Sequence, residues 1–177
     1  MGDLAWLSRY EDFVQNTIKI GKAQNILYFY FGLIEEAIEF SDLFFNTGEQ
    51  EQILEAGDFL WYSIALRSCF EKTNFDILTE ALKITDSSEC YIYTSKLDFM
   101  RLIHDLAKLG KDSEEIESDC VTYGKKIAKV LSKMLVVIGN QTRTSLRTLA
   151  SINVQKLNKK LNPLMNVTAA SAIEWIL

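Results

Sequence analysis

Apolar residues recur with a period near 3.6 along six segments of this chain, and a single proline, Pro163, is available to interrupt them. The pattern predicts helices over Leu4 to Ile20, Asn25 to Phe45, Gln50 to Phe70, Tyr91 to Leu109, Ser113 to Val137 and Ser145 to Leu161, with a short piece from Thr168. Glycines are few while Leu, Ile, Lys, Glu and Ala are plentiful, a mix that favours helix over turn-rich sheet. The expected fold is therefore all-α. At 177 residues one domain with a sizeable core, spanning 1–177, is the natural expectation.

The breaks fall where backbone chemistry allows them. Gly48 in the short turn Asn46 to Gln50 should end the second helix, which makes the second and third helices antiparallel neighbours. Gly110 serves as a stop and Ser113 as an N-cap further on, the stretch Gly139 to Ser145 forms another break, and Pro163 closes the last long helix. Residues 71–89 show no decided pattern.

Several function classes drop out. The longest apolar run, Ile26 to Ile34, falls far short of the ~20 residues that cross a bilayer, and the N-terminus lacks a basic start followed by an apolar block, so the protein is expected in the cytoplasm. Trp6 stands where a myristoylation signal needs Ser or Thr. Cys69, Cys90 and Cys120 are odd in number, widely spaced and without companion histidines, which reads as free, mostly buried thiols. His104, the only histidine, reads as a helix-packing residue.

Charge is unevenly spread. Residues 1–120 carry 23 acids and 10 bases, whereas Val121 to Lys160 carry nine bases and no acid. One anionic and one cationic wall would suit a metal-plus-phosphate site; solvated lysine faces are the plainer alternative. Lys125, Lys126, Lys129 and Lys133 form a stripe at helical spacing, with Tyr123 as its sole aromatic companion, a poor match to nucleic-acid binding.

The acids inside the apolar helices are the most informative residues. Glu36 lies within about 20° of the meridian shared by Phe29 and Leu43, and Glu39 follows at i+3 on a neighbouring line. Glu35 and Asp42 point towards the polar face. In the third helix Glu55 and Asp58 are again i and i+3, on a stripe continued by Tyr62, Ala65, Leu66 and Cys69. Should the two faces pack, four carboxylates would share one half-buried site, which is costly unless a cation joins them or some take up protons. An all-oxygen set suits Mg²⁺ or Mn²⁺. Ordinary surface acids of amphipathic helices are the alternative. The aromatic run Tyr28 to Phe31 suggests core or an oligomer interface, because the apolar arc of the second helix is wider than one neighbour covers.

The spacing G-L-x-x-E-x-x-E (Gly32, Leu33, Glu36, Glu39), followed after a turn by E-x-G-D-x-L-W-Y (Glu55, Gly57, Asp58, Leu60, Trp61, Tyr62), resembles the MazG-like branch of the all-α NTP pyrophosphatases. A later stretch, Ser151 to Leu161, resembles that family's N-x-x-K-L-x-x-R element through Asn153, Lys156, Leu157 and, in the Arg position, Lys160. The resemblance implies a helical bundle of that type with extra helices in the middle of the chain. It implies hydrolysis of nucleoside triphosphates to monophosphate and pyrophosphate, with Glu36, Glu39, Glu55 and Asp58 as catalytic ligands of Mg²⁺ and a metal-activated water attacking the α-phosphorus. Lys156 and Lys160 would face the leaving pyrophosphate, Asn153 the sugar or a phosphate, and Tyr62 the base; Trp61 reads as core. Lys160 keeps the charge of Arg but loses its bidentate geometry. A homodimer or higher homo-oligomer is implied as well. From another class, the alternative is a non-catalytic helical module that binds protein or nucleic acid through residues 121–160.

Overall fold

The structure is a computed structural model that describes residues 5–21, 26–45, 49–70, 94–110 and 120–161. Those residues form six helices and no strand, an all-α bundle. They are α1 (Ala5–Gly21), α2 (Ile26–Asp42), α3 (Glu49–Arg67), α4 (Lys96–Leu109), α5 (Cys120–Thr142) and α6 (Leu146–Leu161). None is long and apolar enough to cross a membrane.

Helix α3 sits at the centre, packed against α1, α2, α5 and α6, while α4 joins α2 to α5 and α1 also meets α6. Its composition explains the position: Ala56, Phe59, Leu60, Ile64, Ala65 and Leu66 are all buried, so apolar side chains surround the helix instead of marking one stripe. Helix α2 packs antiparallel on it. Near the turn Gln52 Nε2 donates to the Leu43 carbonyl at 3.3 Å, and at the far end Tyr62 of α3 lies against Gly32 of α2. A Cβ on Gly32 would stand 2.2 Å from Tyr62 Cε1, so the missing side chain is what lets the aromatic ring lie on the helix.

Polar side chains fix the helix ends. The carbonyls that close α2 are met by Gln52 and by Gln141 Nε2, which donates to Phe44 O at 2.9 Å. Trp61 Nε1 donates to Thr17 Oγ1 at 3.0 Å and ties α3 to α1. The Tyr30 hydroxyl donates to the Leu106 carbonyl and ties α2 to α4. Phe40, Phe44 and Phe99 meet edge-on and tilted in the layer between these two helices.

The helices differ from the sequence pattern chiefly at their ends. Helix α4 starts at Lys96 because Ser95, extended at φ −76° and ψ 156°, accepts the Asp98 N–H and caps it. Gly110 ends that helix as expected, its N–H reaching the Ala107 and Lys108 carbonyls. Helix α5 runs through the expected break to Thr142, since Ile138 is buried and Gln141 is bonded across to α2; the turn comes at Arg143, with φ at 52°, and Ser145 then accepts the Thr148 N–H. His104 is exposed, a correction to its reading as a packing residue: the buried stripe of α4 is Phe99, Ile103 and Leu106, and His104 falls one step off it. Cys69 is a half-buried free thiol. The expected turn glycine Gly48, the cap at Ser113, the short helix from Thr168 and Cys90 lie outside the described residues, as does the side chain of Cys120.

Candidate metal centre

Packing of α2 on α3 gathers the acids predicted to meet. One carboxylate oxygen from each of Glu36, Glu39 and Glu55 lies within 4.8 Å of the others. The i,i+3 spacing stacks the two side chains of α2 one above the other, and antiparallel pairing sets Glu55 opposite them. Glu36 and Glu55 are half-buried and Glu39 is exposed, so the group is open to solvent on one side.

Asp58 is placed differently. One turn along α3 from Glu55, it faces α6, where Asn153 Nδ2 donates to its Oδ1 at 2.8 Å and Lys156 forms an ion pair with its Oδ2. Gly57 makes this approach possible, because a Cβ there would sit 3.2 Å from the Asn153 Cβ and 3.5 Å from the Leu149 carbonyl. The Asn153 side chain is itself buried and its Oδ1 accepts the Tyr10 hydroxyl at 3.0 Å. Tyr10 on α1, Asn153 and Lys156 on α6 and the acids on α2 and α3 thus converge on one place.

Charge in this place is out of balance. Burial, then the charges of Asp58, Glu39 and Glu55, push the Glu36 carboxyl up to about 8, with Lys156 opposing. Burial raises Glu55 too, against Lys156, and the charges of Asp58 and Glu39 and a hydrogen bond to Glu39 add to the rise. For Lys156, burial works to lower the pKa, but the hydrogen bond to Asp58 and the charges of Asp58, Glu55 and Glu36 outweigh it and the ammonium is strengthened. Tyr10 is raised well above the usual phenol range by burial first and Asp58 second, so its proton stays in place at neutral pH.

The residues fit a hard divalent cation on two observations of this structure. The donors are all carboxylate oxygens, and Glu36, one of the three residues, has a buried Oε2 without a hydrogen-bond partner. Three of the expected ligands are brought together directly, and the fourth, Asp58, adjoins them with Lys156 on its outer oxygen.

The other expected site residues divide. Tyr62 is half-buried at the edge of the acids, tilted against Tyr28 and edge-on to Trp61; burial first, then Tyr28, Glu36 and Glu35, hold its hydroxyl above the usual phenol range. Lys160 is exposed and meets none of the acids. Lys125, Lys126, Lys129 and Lys133 are all exposed, with the Lys126 ammonium 4.7 Å from the centre of the Tyr123 ring. Sequence reasoning missed Tyr10. Its one signal was a tyrosine within the apolar stripe Trp6, Tyr10, Val14, where a buried hydroxyl must find a partner. No protein-family model, no curated protein and no solved structure matches this chain.

Proposed function

We propose that this chain is a Mg²⁺-dependent nucleoside triphosphate pyrophosphohydrolase acting in the cytoplasm on (deoxy)nucleoside triphosphates, with Mn²⁺ as a substitute ion. The observation that carries the reading is the meeting of Glu36, Glu39 and Glu55 oxygens within 4.8 Å of one another, with Glu36 Oε2 buried and unpartnered. The resemblance of Gly32 to Tyr62 and of Asn153 to Lys160 to the MazG-like pyrophosphatases points the same way.

Glu36, Glu39, Glu55 and Asp58 would hold the ion. Bound there, it supplies an activated water and neutralises charge on the triphosphate. An acid of the group that the ion does not fully use, Glu36 or Glu39, would take the proton of the attacking water. Lys156, paired with Asp58, would turn to the departing pyrophosphate and bring a positive charge where negative charge accumulates. Asn153 stays on Asp58 and contributes orientation rather than charge. Tyr62 and Tyr28 offer adjoining rings beside the acids for a nucleobase.

Exposed apolar side chains support self-association. Phe31, Ile38 and Phe45 follow at seven-residue intervals along α2 and just past its end, Leu97 and Met100 lie on α4, which packs on α2, and all five are exposed. A homodimer or higher homo-oligomer would cover them.

Pyrophosphate release from a panel of NTPs and dNTPs, dUTP included, with Mg²⁺ or Mn²⁺, tests the activity. Cleavage of one or a few nucleotides, lost in Glu55→Ala, is the expected result. Silence across the whole panel with both ions would refute the activity and favour an interaction module built on the lysines of residues 121–160.

A further inference from the structure

Three side chains from three helices form a buried line: Tyr10 on α1, Asn153 on α6 and Asp58 on α3. The proton arrangement along it follows from the end groups. An ionised Asp58 can only accept, so the Asn153 amide must turn its NH₂ to Asp58 Oδ1, at 2.8 Å. That leaves Asn153 Oδ1 facing Tyr10, and the Tyr10 hydroxyl must donate to it, at 3.0 Å. Reversal of the amide would set a carbonyl against a carboxylate. Tyr10 is fully buried and Asn153 nearly so, and water has little access to replace the bond between them.

We infer that Tyr10 is a positioning residue: its hydroxyl locks the orientation of Asn153, and Asn153 in turn holds the Asp58 carboxylate so that Oδ1 is committed to the protein and Oδ2 is the oxygen available to a cation. Lys156 pairs with that same Oδ2, so an arriving divalent ion competes with one partly exposed ammonium and leaves the Asn153 bond intact. The device spans 143 residues of sequence and makes α1 part of the site, although it supplies no acid of its own to the cluster. The cation's part in this rests on the proposed pyrophosphohydrolase reading; the orientation of Asn153 does not.

Tyr10→Phe keeps the ring and removes only the hydroxyl. Tyr30→Phe is its control, since Tyr30 is equally buried but bonds the Leu106 carbonyl, between α2 and α4. Two readouts on the full chain separate the claims. In metal-free protein, the Asn153 side-chain amide protons, followed by NMR, should exchange faster with solvent in Tyr10→Phe and stay unchanged in Tyr30→Phe. In Mn²⁺ titrations by calorimetry, Tyr10→Phe should weaken binding about tenfold, as loss of an outer hydrogen bond to a ligand does elsewhere, and Tyr30→Phe by less than about twofold. Added to Asn153→Ala, Tyr10→Phe should weaken Mn²⁺ no further. An unchanged Asn153 amide in Tyr10→Phe, equal Mn²⁺ losses in both tyrosine variants, or additivity with Asn153→Ala would each overturn the inference. If the parent protein fails to bind Mn²⁺ while the Asn153 amide responds to Tyr10→Phe alone, the positioning role stands and the metal reading falls.

Discussion

Replacing Glu36 by glutamine should stabilise the metal-free protein at alkaline pH and do nothing at acid pH. In the fold the Glu36 carboxyl is raised from its ordinary 4.5 to about 8, by burial first and by neighbouring carboxylates second. A carboxyl raised in this way contributes its full stability below about 4.5, where both folded and unfolded chains carry the proton. That contribution is lost as pH climbs to about 8, because the unfolded chain ionises freely while the folded one resists. At about 1.4 kcal/mol per tenfold change in proton affinity the ceiling is ~5 kcal/mol, and solvent screening of a half-exposed group brings the expected figure to ~2 kcal/mol. Glutamine never ionises, so Glu36→Gln should melt roughly 4 to 8 °C above the parent at pH 9 with a chelator present, and within about 1 °C of it at pH 4.5. Saturating Mn²⁺ should invert the order at pH 9, since ligand at 100 times its Kd adds ~2.7 kcal/mol to the protein that binds it. Circular-dichroism melts of both proteins under the three conditions suffice. A gap of the same size at both pH values, or a glutamine variant less stable at pH 9 without metal, would refute a crowded acidic site at Glu36.

The two lysines of α6 should separate cleanly: Lys156→Ala lowers pyrophosphate release by about a hundredfold or more, whereas Lys160→Ala, exposed and away from the acids, changes it by less than about threefold, as steady-state kinetics would show. Gly32→Ala places a methyl against the Tyr62 ring and should destabilise by ~1 kcal/mol net of its helix-propensity gain, with Tyr62→Ala in the same chain relieving the clash; denaturant titration reads both. Ile38→Glu should leave the helical circular-dichroism signal intact and shift the sedimentation coefficient to that of a monomer; an unchanged sedimentation profile would remove α2 from the interface.

Much of this was legible in the sequence because it is local. The helical wheel aligned Glu36 with Glu39, and antiparallel pairing of their helix with the next set Glu55 opposite them, so the meeting of these three acids was readable, whereas the turn of Asp58 towards α6 was not. Gly110 as a helix stop was equally readable. What escaped depends on distance along the chain or on position along a helix axis. Lys160 shares nearly the direction of Lys156, about 40° off on the wheel, but stands four residues, about 6 Å, further along α6, where it is exposed. The end of α5 was misplaced because Gly139 is an interior helix residue once Ile138 is buried, and only the tertiary bond from Gln141 to Phe44 reveals it. Tyr10 could be read as a buried tyrosine in an apolar stripe, but its partner, 143 residues away, could not.

The acids also answer a question that packing alone leaves open. Helices α2 and α3 already meet through Phe29 against Trp61 and Gly32 against Tyr62, and neither contact needs a carboxylate nearby. Four acids share the place with one ammonium, and that ammonium is engaged by Asp58. Uncharged side chains of similar volume in place of half-buried, mutually repelling carboxylates would generally strengthen a fold. Elsewhere the local chemistry supports the bundle, with a capped α4 and a glycine where an aromatic ring lies on a helix. Amid the mutual repulsion of the acids Glu36 keeps a buried oxygen with no hydrogen-bond partner, a conflict between local chemistry and folding that a bound cation would relieve.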